Sequence, residues 1–391
     1  MLGKEARCRN RQRDLRQFLN RFCPSLDKTR QRFFRQAVWG VLMSGSLVVA
    51  RWLRWIPDRC RQRFWRHKRL LNQLKSRDWD HQAVLAEYQQ NWADKVQPDT
   101  PLIVDLCDLA RPRARKLKYL ALVRDGSDPD HRLVYGYWCV EIYAYWGKGR
   151  ITPMLLHPYS IEDPNTLSEN AVILRCVDQV MAATQGRGVI VMDAGADRDN
   201  LLIPWIDDQR RLVVRLRGDR HLLLDNGVHV EAAHLAQSLL HQQQGQSSVA
   251  FCRVYLPERP NCPLYLTCKT TPGYDRPLIL LTSLCVPAAE QAEQVLQYYR
   301  QRWKCEESAR FLKGQMGLER FALRTYEAFG RLMLLAAVTM GLLTWMQLAM
   351  PTFTSWLSRK SPGRRRIKFA YYRLLDWFQE QIHAVTTARS P

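Results

Sequence analysis

Four side chains able to bind phosphate or metal recur at helical spacing in the C-terminal part of the chain. Tyr299, Arg302, Glu306 and Lys313 follow the pattern Y-x2-R-x3-E-x6-K within QAEQVLQYYRQRWKCEESARFLK. Since a helix turns by about 100° per residue, an unbroken helix here would place all four within a sector of roughly 60°. A carboxylate can hold a divalent cation, and Arg and Lys beside it can bind phosphate oxygens. The pattern therefore predicts phosphodiester chemistry, with a solvated charged face as the alternative.

Two aspartates stand at or near the ends of short apolar segments, where the strands of open α/β sheets place their ligands. Asp105 lies in LIVDL and Asp193 ends VIVMD. With Glu306 they supply three carboxylates from two strands and a helix, which suits two divalent cations that keep positions open for water and phosphate oxygens. Because every ligand is oxygen, two Mg²⁺ ions are expected, with Mn²⁺ able to substitute. Open alternatives are Asp108 and Asp125 for the first acid, and Asp197 and Asp199 for the second.

The charge of the chain narrows the class of partner. In 391 residues, 59 Lys and Arg stand against 37 Asp and Glu, a formal net charge of +22. This charge predicts a polyanionic partner and argues against an enzyme of small neutral metabolites.

The 11 cysteines include no C-x-x-C pair, which favours reduced thiols in a cytosolic protein over a zinc or disulfide framework. No P-loop motif occurs, and the order of His229, Glu231 and His234 is not that of zinc proteases.

Residues 1–95 show helical apolar spacing throughout, and basic residues crowd the stretch from Arg51 to Arg77. Arginines at this density neutralise phosphates, so a helical DNA-binding domain is predicted. The interleaved aromatic residues either close a small helical core or lie against the sugar backbone of DNA. These aromatic residues are Trp52, Trp55, Phe64 and Trp65.

After residue 95 the hydrophobic period changes, which predicts an α/β fold. The expected strands are 102–106, 119–123, 134–145, 151–156 and 189–192, with a helix over 167–184. The predicted domains are a core with a first part at 96–199, a mostly β insertion at 200–286, a catalytic helix at 287–325 and a helical C-terminal region at 326–391. The apolar stretch Leu332–Met350 contains Thr339, Thr344 and Gln347, so it is interpreted as a buried core helix, and no membrane partner is expected.

Taken together, these residues resemble the bacterial insertion-sequence DDE transposases. Their Y-R-E-K signature matches Tyr299, Arg302, Glu306 and Lys313 at the same spacing, and the likeness covers residues 100–320. Supporting segments are VDLCDLARPRARK at the first acid, LVRDGS, GYW, VIVMDAGADR at the second acid, VVRLRGDR and LILLTS.

The resemblance implies an RNase H-like catalytic core in which Asp105, Asp193 and Glu306 ligate the metal ions. It implies hydrolysis that frees a 3′-hydroxyl at the transposon end, followed by attack of that hydroxyl on target DNA. The implied partners are double-stranded DNA, as inverted-repeat ends and as target, and a second copy of the chain in a synaptic homodimer. The implied location is the bacterial cytoplasm, at the nucleoid.

The resemblance also assigns Tyr299, Arg302 and Lys313 to the terminal phosphate and the strand near the cut. Members that cut through a hairpin place a Trp at the start of the late strand to stack a flipped base. Here that strand starts near Leu278, and the next tryptophan is Trp303 on the helix, so a hairpin is not expected.

The alternative from another class of function is a non-catalytic DNA-binding protein derived from a transposase. Three acids in a groove that attracts phosphate would be costly for such a protein.

Overall fold

The structure is a computed structural model. It describes residues 17–56, 62–76, 78–112, 114, 117–124, 130, 132–242, 249–270, 273, 276–349 and 370–387. The chain forms two compact units, each built from separate segments. The first unit comprises Met1–Lys95, Leu106–Val172 and Glu306–Pro391, and the second comprises Val96–Asp105 and Ile173–Cys305.

The described N-terminal part of the first unit is helical, as predicted. Helix α1 starts where Asp27 accepts hydrogen bonds from the amides of Thr29 and Arg30, and it ends at Gly45, which adopts the left-handed conformation that glycine favours. Its buried face includes Phe34, Val38 and Val41. The helices here are α1 (Lys28–Ser44), α2 (Val49–Trp52), α3 (Arg63–Lys75) and α4 (His81–Ala93).

The sheet of the first unit confirms the predicted run of strands. Antiparallel pairing joins β2 to β3 and β3 to β4, the second of these along the whole hairpin from Trp138 and Tyr159 to Tyr145 and Ile151. The later half of β1 lies beside β3. The strands are β1 (Pro101–Ala110), β2 (Ala121–Arg124), β3 (Leu133–Tyr145) and β4 (Ile151–Tyr159).

The apolar stretch near the C-terminus forms α10 (Tyr326–Ala349), which is long and apolar enough to cross a membrane by composition, but 83% of its most apolar window is buried. The Thr339 hydroxyl donates to the Leu335 carbonyl, and the Thr344 hydroxyl lies within hydrogen-bond distance of the carbonyls of Ile151 and Met340, to either of which it can donate its single proton. The two hydroxyls are hydrogen-bonded inside the first unit, although the buried Nε2 of Gln347 has no hydrogen-bond partner among the described residues. Because the helix is mostly buried, the predicted buried core helix is confirmed. The last helix, α11, spans Ala370–Thr387.

The second unit is built on a mixed sheet. Its first strands, β1, β5 and β6, are parallel, and β11, β10 and β9 continue the sheet with antiparallel pairing, followed by the hairpin of β7 and β8. The predicted insertion therefore contributes strands to this sheet. The elements are α5 (Glu169–Ala183), β5 (Val189–Met192), α6 (Asp199–Asp207), β6 (Leu212–Arg215), β7 (His221–Leu223), β8 (His229–Glu231), α7 (Ala232–Gln242), β9 (Val249–Leu256), β10 (Arg259–Lys269), β11 (Leu278–Thr282) and α8 (Ala289–Gln301).

Helix α8 packs its apolar side on this sheet, which fixes the residues that follow it. Val295 and Leu296 are buried in one cluster with Val191, Val213 and Leu280, which come from three different strands. Burial of such aliphatic side chains contributes about 1.5–3 kcal/mol each. The end of α8, with Tyr299, is thereby held against the sheet.

The prediction of one unbroken helix from residue 291 to 313 is wrong. Helix α8 ends at Gln301 and α9 spans Trp303–Arg310, followed by a π-helical turn at Phe311–Gln315. At the junction, the amide of Arg302 bonds to the Tyr299 carbonyl and the amide of Cys305 to the Arg302 carbonyl. These bonds span three residues instead of four, so the turn tightens and the α-helical ladder is interrupted. The four signature residues are therefore not part of one continuous α-helix.

Candidate active site

Asp105 lies on β1, and Asp193 directly follows β5, which pairs in parallel with β1 in the second unit. In the pairing of β1 with β5, Ile103 is level with Val191. Asp105 follows Ile103 by two residues, and Asp193 follows Val191 by two residues, so both aspartates come shortly after the paired segment. Two carboxylates that lie close together repel each other when both are ionised, and a hard divalent cation bound between them relieves this repulsion.

Asp193 follows β5 directly, so its predicted position at a strand end is confirmed. Its backbone is extended, and its Oδ1 accepts a hydrogen bond of 2.8 Å from the Gly195 amide. A Cβ at Gly195 would lie 2.9 Å from the same oxygen. Glycine at this position therefore lets the chain turn tightly around the carboxylate.

Asp105 lies in the middle of β1 and not near a strand end as predicted. The strand continues to Ala110 because its later residues have a partner of their own, β3 in the first unit. The Asp105 carboxylate is largely buried, and its Oδ2 lies 3.5 Å from Nη1 of Arg302. Arg302, a signature cation, thus contacts the first of the predicted acids.

Cys305 also contacts Asp105, and sequence reasoning missed it. Its buried thiol lies 2.8 Å from Asp105 Oδ2 and 2.8 Å from the Arg302 carbonyl oxygen, and it can donate its single proton to either. The sequence feature that could have indicated a role for Cys305 is its position between Arg302 and Glu306. The prediction that the cysteines are reduced thiols agrees with the free state of the nine cysteines in the described part of the chain.

Tyr299 and Arg302 line a pocket of about 390 Å³ in the second unit. Its wall carries the cations Lys269, Arg300 and Arg302, and the guanidinium of Arg302 lies 5.8 Å from the centre of the Tyr299 ring. Trp303 contributes an indole that is 53% exposed. Cations and accessible aromatic faces together suit a nucleotide, with phosphate on the cations and a base on a ring. The full lining is Lys269, Thr270, Leu278, Leu296, Tyr299, Arg300, Arg302 and Trp303.

The same pocket bears on the expectation that no hairpin forms, which stays a prediction. Leu278 opens β11, the late strand, and no tryptophan occupies that position. Trp303 nevertheless lines the pocket together with Leu278. A tryptophan is therefore present beside the start of the late strand, although it comes from α9. Because Trp303 and Leu278 are far apart in the sequence, the sequence alone did not indicate that they line the same pocket.

Lys313 is held in the first unit by two carboxylates. It lies in the π-helical turn, with Nζ 3.1 Å from Asp108 Oδ2 and 3.4 Å from Glu319 Oε1. Burial by itself lowers the pKa of the ammonium, but the nearby carboxylates of Asp108 and Glu319 outweigh it, so the pKa is raised. Lys313 therefore carries a full positive charge at neutral pH.

Glu319 connects this lysine to β1, and sequence reasoning missed it as well. Its Oε1 accepts a hydrogen bond of 3.1 Å from the Ala110 amide. Burial raises the pKa of Glu319 above its ordinary value, and Lys313 opposes that shift. The segment is further tied to β1 by Arg111, which donates to the carbonyls of Glu319 and Phe321 and lies 4.0 Å from the centre of the Phe321 ring.

Three of the four alternative acids have ionic partners of their own. Asp197 is buried and accepts hydrogen bonds from the Arg217 amide and from Nε of Arg220, and Asp199 pairs with the same Arg220. These contacts give Asp197 and Asp199 a structural explanation. Asp108 is paired with Lys313, and Asp125 lies outside the described residues.

Glu306 lies in the first turn of α9, half-buried, and belongs to the first unit. Its convergence with Asp105 and Asp193 stays a prediction. Among the residues that the structure describes, no group of three or more His, Cys, Asp or Glu is assembled for a metal. The donors of the predicted set are carboxylate oxygens only, and this chemistry fits Mg²⁺.

Comparison with known protein families found a match that overlaps much of this site. Residues 152–342 match the family described as "Transposase DDE domain", a range that includes Asp193 and all four signature residues and begins after Asp105. The match supports a DDE transposase, a class of DNA-cutting enzymes that use divalent metal ions. The cryo-EM structure of a piggyBac transposase synaptic complex with hairpin DNA is similar with a TM-score of 0.46 and 12% identity, over 94% of this chain and 76% of that chain. Curated proteins gave no match.

Proposed function

We propose that this protein is a DDE transposase acting on the ends of its own insertion sequence. It would bind the terminal inverted repeats, cleave the DNA to free 3′-hydroxyl ends and join those ends to target DNA by transesterification. The observation that carries the proposal is the parallel pairing of β1 with β5, in which Ile103 and Val191, each two residues before one of the aspartates, are level. The match of residues 152–342 to a transposase domain supports it.

Asp105, Asp193 and Glu306 would hold two Mg²⁺ ions, for which Mn²⁺ could substitute. When bound, such ions lower the pKa of an attacking water or hydroxyl and stabilise the departing oxygen in an in-line displacement. The chain itself orients the two aspartates. Gly195 donates to Asp193, and Cys305 and Arg302 lie against the same oxygen of Asp105.

Tyr299, Arg302 and Lys313 would bind the terminal phosphate and the strand near the cut. Arg302 can bind a phosphate bidentately, and Lys313 supplies a fixed point charge between its two carboxylates. The pocket beside Tyr299 would receive a nucleotide, with Trp303 as the stacking surface. The work of these residues is positioning, which supplies much of the rate enhancement in phosphoryl transfer.

The partners follow from this function. Residues 1–95 would recognise the inverted repeats, and residues 326–391 would help to form a synaptic homodimer. The reaction would take place in the bacterial cytoplasm, at the nucleoid, and without a membrane. The net charge of +22 supports a DNA partner.

The test is cleavage by the purified full-length chain of duplexes that carry the DNA flanking its coding region. We expect nicking in Mg²⁺ or Mn²⁺, none in EDTA, and a loss of at least about 100-fold in rate for D193N, D105N and E306Q. The matched control is D178N, because Asp178 is an exposed carboxylate on α5. Metal-independent nicking, or full activity in all three variants, would refute the proposed mechanism.

The second candidate function, DNA binding without catalysis, is tested by the same material. The charge reversals R302E and K313E should abolish cleavage and leave binding of the ends by residues 1–95 within about threefold of wild type. A wild-type chain that binds the ends but never cuts them in any divalent metal would establish the non-catalytic function instead.

A further inference from the structure

Helix α3 exposes two large aromatic side chains next to each other. Phe64 is 67% exposed and Trp65 is 52% exposed, and their rings meet edge to face with centroids 5.3 Å apart. By contrast, Trp52, from the same predicted aromatic stretch, is fully buried. Leaving aromatic surface in water forgoes about 25 cal/mol for each Å² that could have been buried. An adjacent exposed pair of this kind is typical of a contact surface for a partner.

The same end of α3 is strongly basic. Arg63, Lys68 and Arg69 are exposed, and the ammonium of Lys68 lies 5.0 Å from the centre of the Trp65 ring. The sequence of the helix, RFWRHKRLLNQLK, contains no acidic residue. The surface formed by Arg63, Phe64, Trp65, Lys68 and Arg69, here called the α3 surface, therefore has cations around an aromatic centre.

The helix that carries the α3 surface is held in the first unit by its inward side chains. Arg66, on the same helix, donates from Nη2 to the carbonyls of Leu53 and Ile56 at 2.5 and 2.6 Å. Leu70 and Leu74 are buried, and Arg331 of α10 donates to the Leu74 carbonyl at 2.8 Å. The inward side chains are thus used by the fold, whereas the side chains of the α3 surface are exposed.

We propose that the α3 surface binds duplex DNA of the transposon ends. Arg63, Lys68 and Arg69 contact phosphates, and the Phe64–Trp65 pair lies against deoxyriboses at the edge of a groove. Charge complementarity selects a polyphosphate as the occupant. A lipid surface fits less well, because an interfacial helix offers a continuous apolar face to the membrane, whereas Leu70 and Leu74 face the protein interior. This inference rests on the proposed function and assigns end binding to one helix.

The experiment measures the affinity of the full-length chain for a labelled end duplex at several salt concentrations. The charge variant R63Q/K68Q/R69Q should bind more weakly, and its slope of log affinity against log salt should flatten by about 0.9 for each lost phosphate contact. The aromatic variant F64A/W65A should lose about tenfold in affinity, or about 1.4 kcal/mol, with an unchanged slope. The control K148Q/R215Q/R324Q removes the same charge from other exposed positions and should keep the wild-type slope.

Several outcomes would overturn the assignment. Wild-type affinity and slope in both α3 variants would refute it, and so would an equal slope change in the control, which would indicate only net charge. Binding of wild type but not of F64A/W65A to anionic phospholipid vesicles, with DNA affinity unchanged, would identify a lipid surface instead. Failure of the proposed function has a different signature: a chain that never cleaves DNA, while its α3 variants still lose affinity for DNA as described.

Discussion

At the scale of single residues, the most telling contact is that between Lys313 and its two carboxylates. The Lys313 Nζ lies 3.1 Å from Asp108 Oδ2 and 3.4 Å from Glu319 Oε1. The lysine is therefore held by the protein and does not simply extend into solvent. The side chain has three donors and a flexible stem, and these two acceptors fix where the ammonium lies. Glu319 also accepts from the Ala110 amide, so the lysine is positioned relative to β1.

The prediction at this scale concerns Glu319. E319Q keeps the shape of the side chain and an acceptor for the Ala110 amide but removes one of the two charges that hold Lys313. We expect the rate of single-turnover DNA cleavage to fall about 10- to 100-fold, because small displacements of a positioning group are costly. DNA affinity should change little.

The control for this variant is E258Q, which removes the same charge from an exposed turn between β9 and β10 and should cleave like wild type. Thermal unfolding of E319Q shows whether the fold is kept. A folded E319Q with the wild-type cleavage rate would show that Asp108 alone suffices to place Lys313.

At the scale of elements, α10 depends on a close approach to α4. A Cβ on Gly341 would lie 2.6 Å from the Tyr88 hydroxyl oxygen and 3.2 Å from Nε1 of Trp92. Tyr88 cannot simply move away, because it is fully buried and its hydroxyl lies 2.7 Å from the Pro153 carbonyl oxygen. The contact therefore requires a residue without a side chain at position 341.

Two alanine substitutions in α10 test this argument. G341A should lower the free energy of unfolding by about 1–3 kcal/mol, as overpacked core substitutions do. G330A is the matched control, because its Cβ would meet nothing closer than 3.9 Å and alanine is favoured over glycine in a helix interior by about 1 kcal/mol. Denaturant unfolding should order the proteins as G330A, wild type, G341A from most to least stable. The reverse order would contradict the close packing of α10 on α4.

At the scale of the whole molecule, the net charge of +22 acts on stability as well as on binding. Many cations have acidic partners, among them Arg220 with Asp197 and Lys269 with Glu293. The 22 positive charges in excess of the acids repel one another, and such repulsion weakens the compact state while salt screens it.

We therefore expect the melting temperature to rise between low and moderate NaCl concentrations, about 0.05 and 0.5 M, where the Debye length shortens from above to below 10 Å. Heparin at low salt should raise it too, since a polyanion bound to the folded chain stabilises it by mass action. A neutral polysaccharide of similar size is the control and should have little effect. A melting temperature that falls with salt would show that the ion pairs outweigh the net repulsion.

The sequence by itself determined the local elements and the kinds of chemistry that they carry. The strands β3 and β4, the buried strand just before Asp193, the helical N-terminal part and the buried helix α10 all follow from patterns within a few residues. Such patterns reflect the fixed periods of helices and strands, which neighbours in the chain are enough to set.

Only the tertiary structure decided which side chains meet. The extension of β1 beyond Asp105, the interruption of the helix at Arg302, the thiol of Cys305 against Asp105 and the pairing of Lys313 with Glu319 each depend on strand pairing or packing. The contact between Asp105 and Cys305 joins positions 200 residues apart. No local period encodes such a contact, because it forms only when burial of the apolar faces brings separate segments of the chain together.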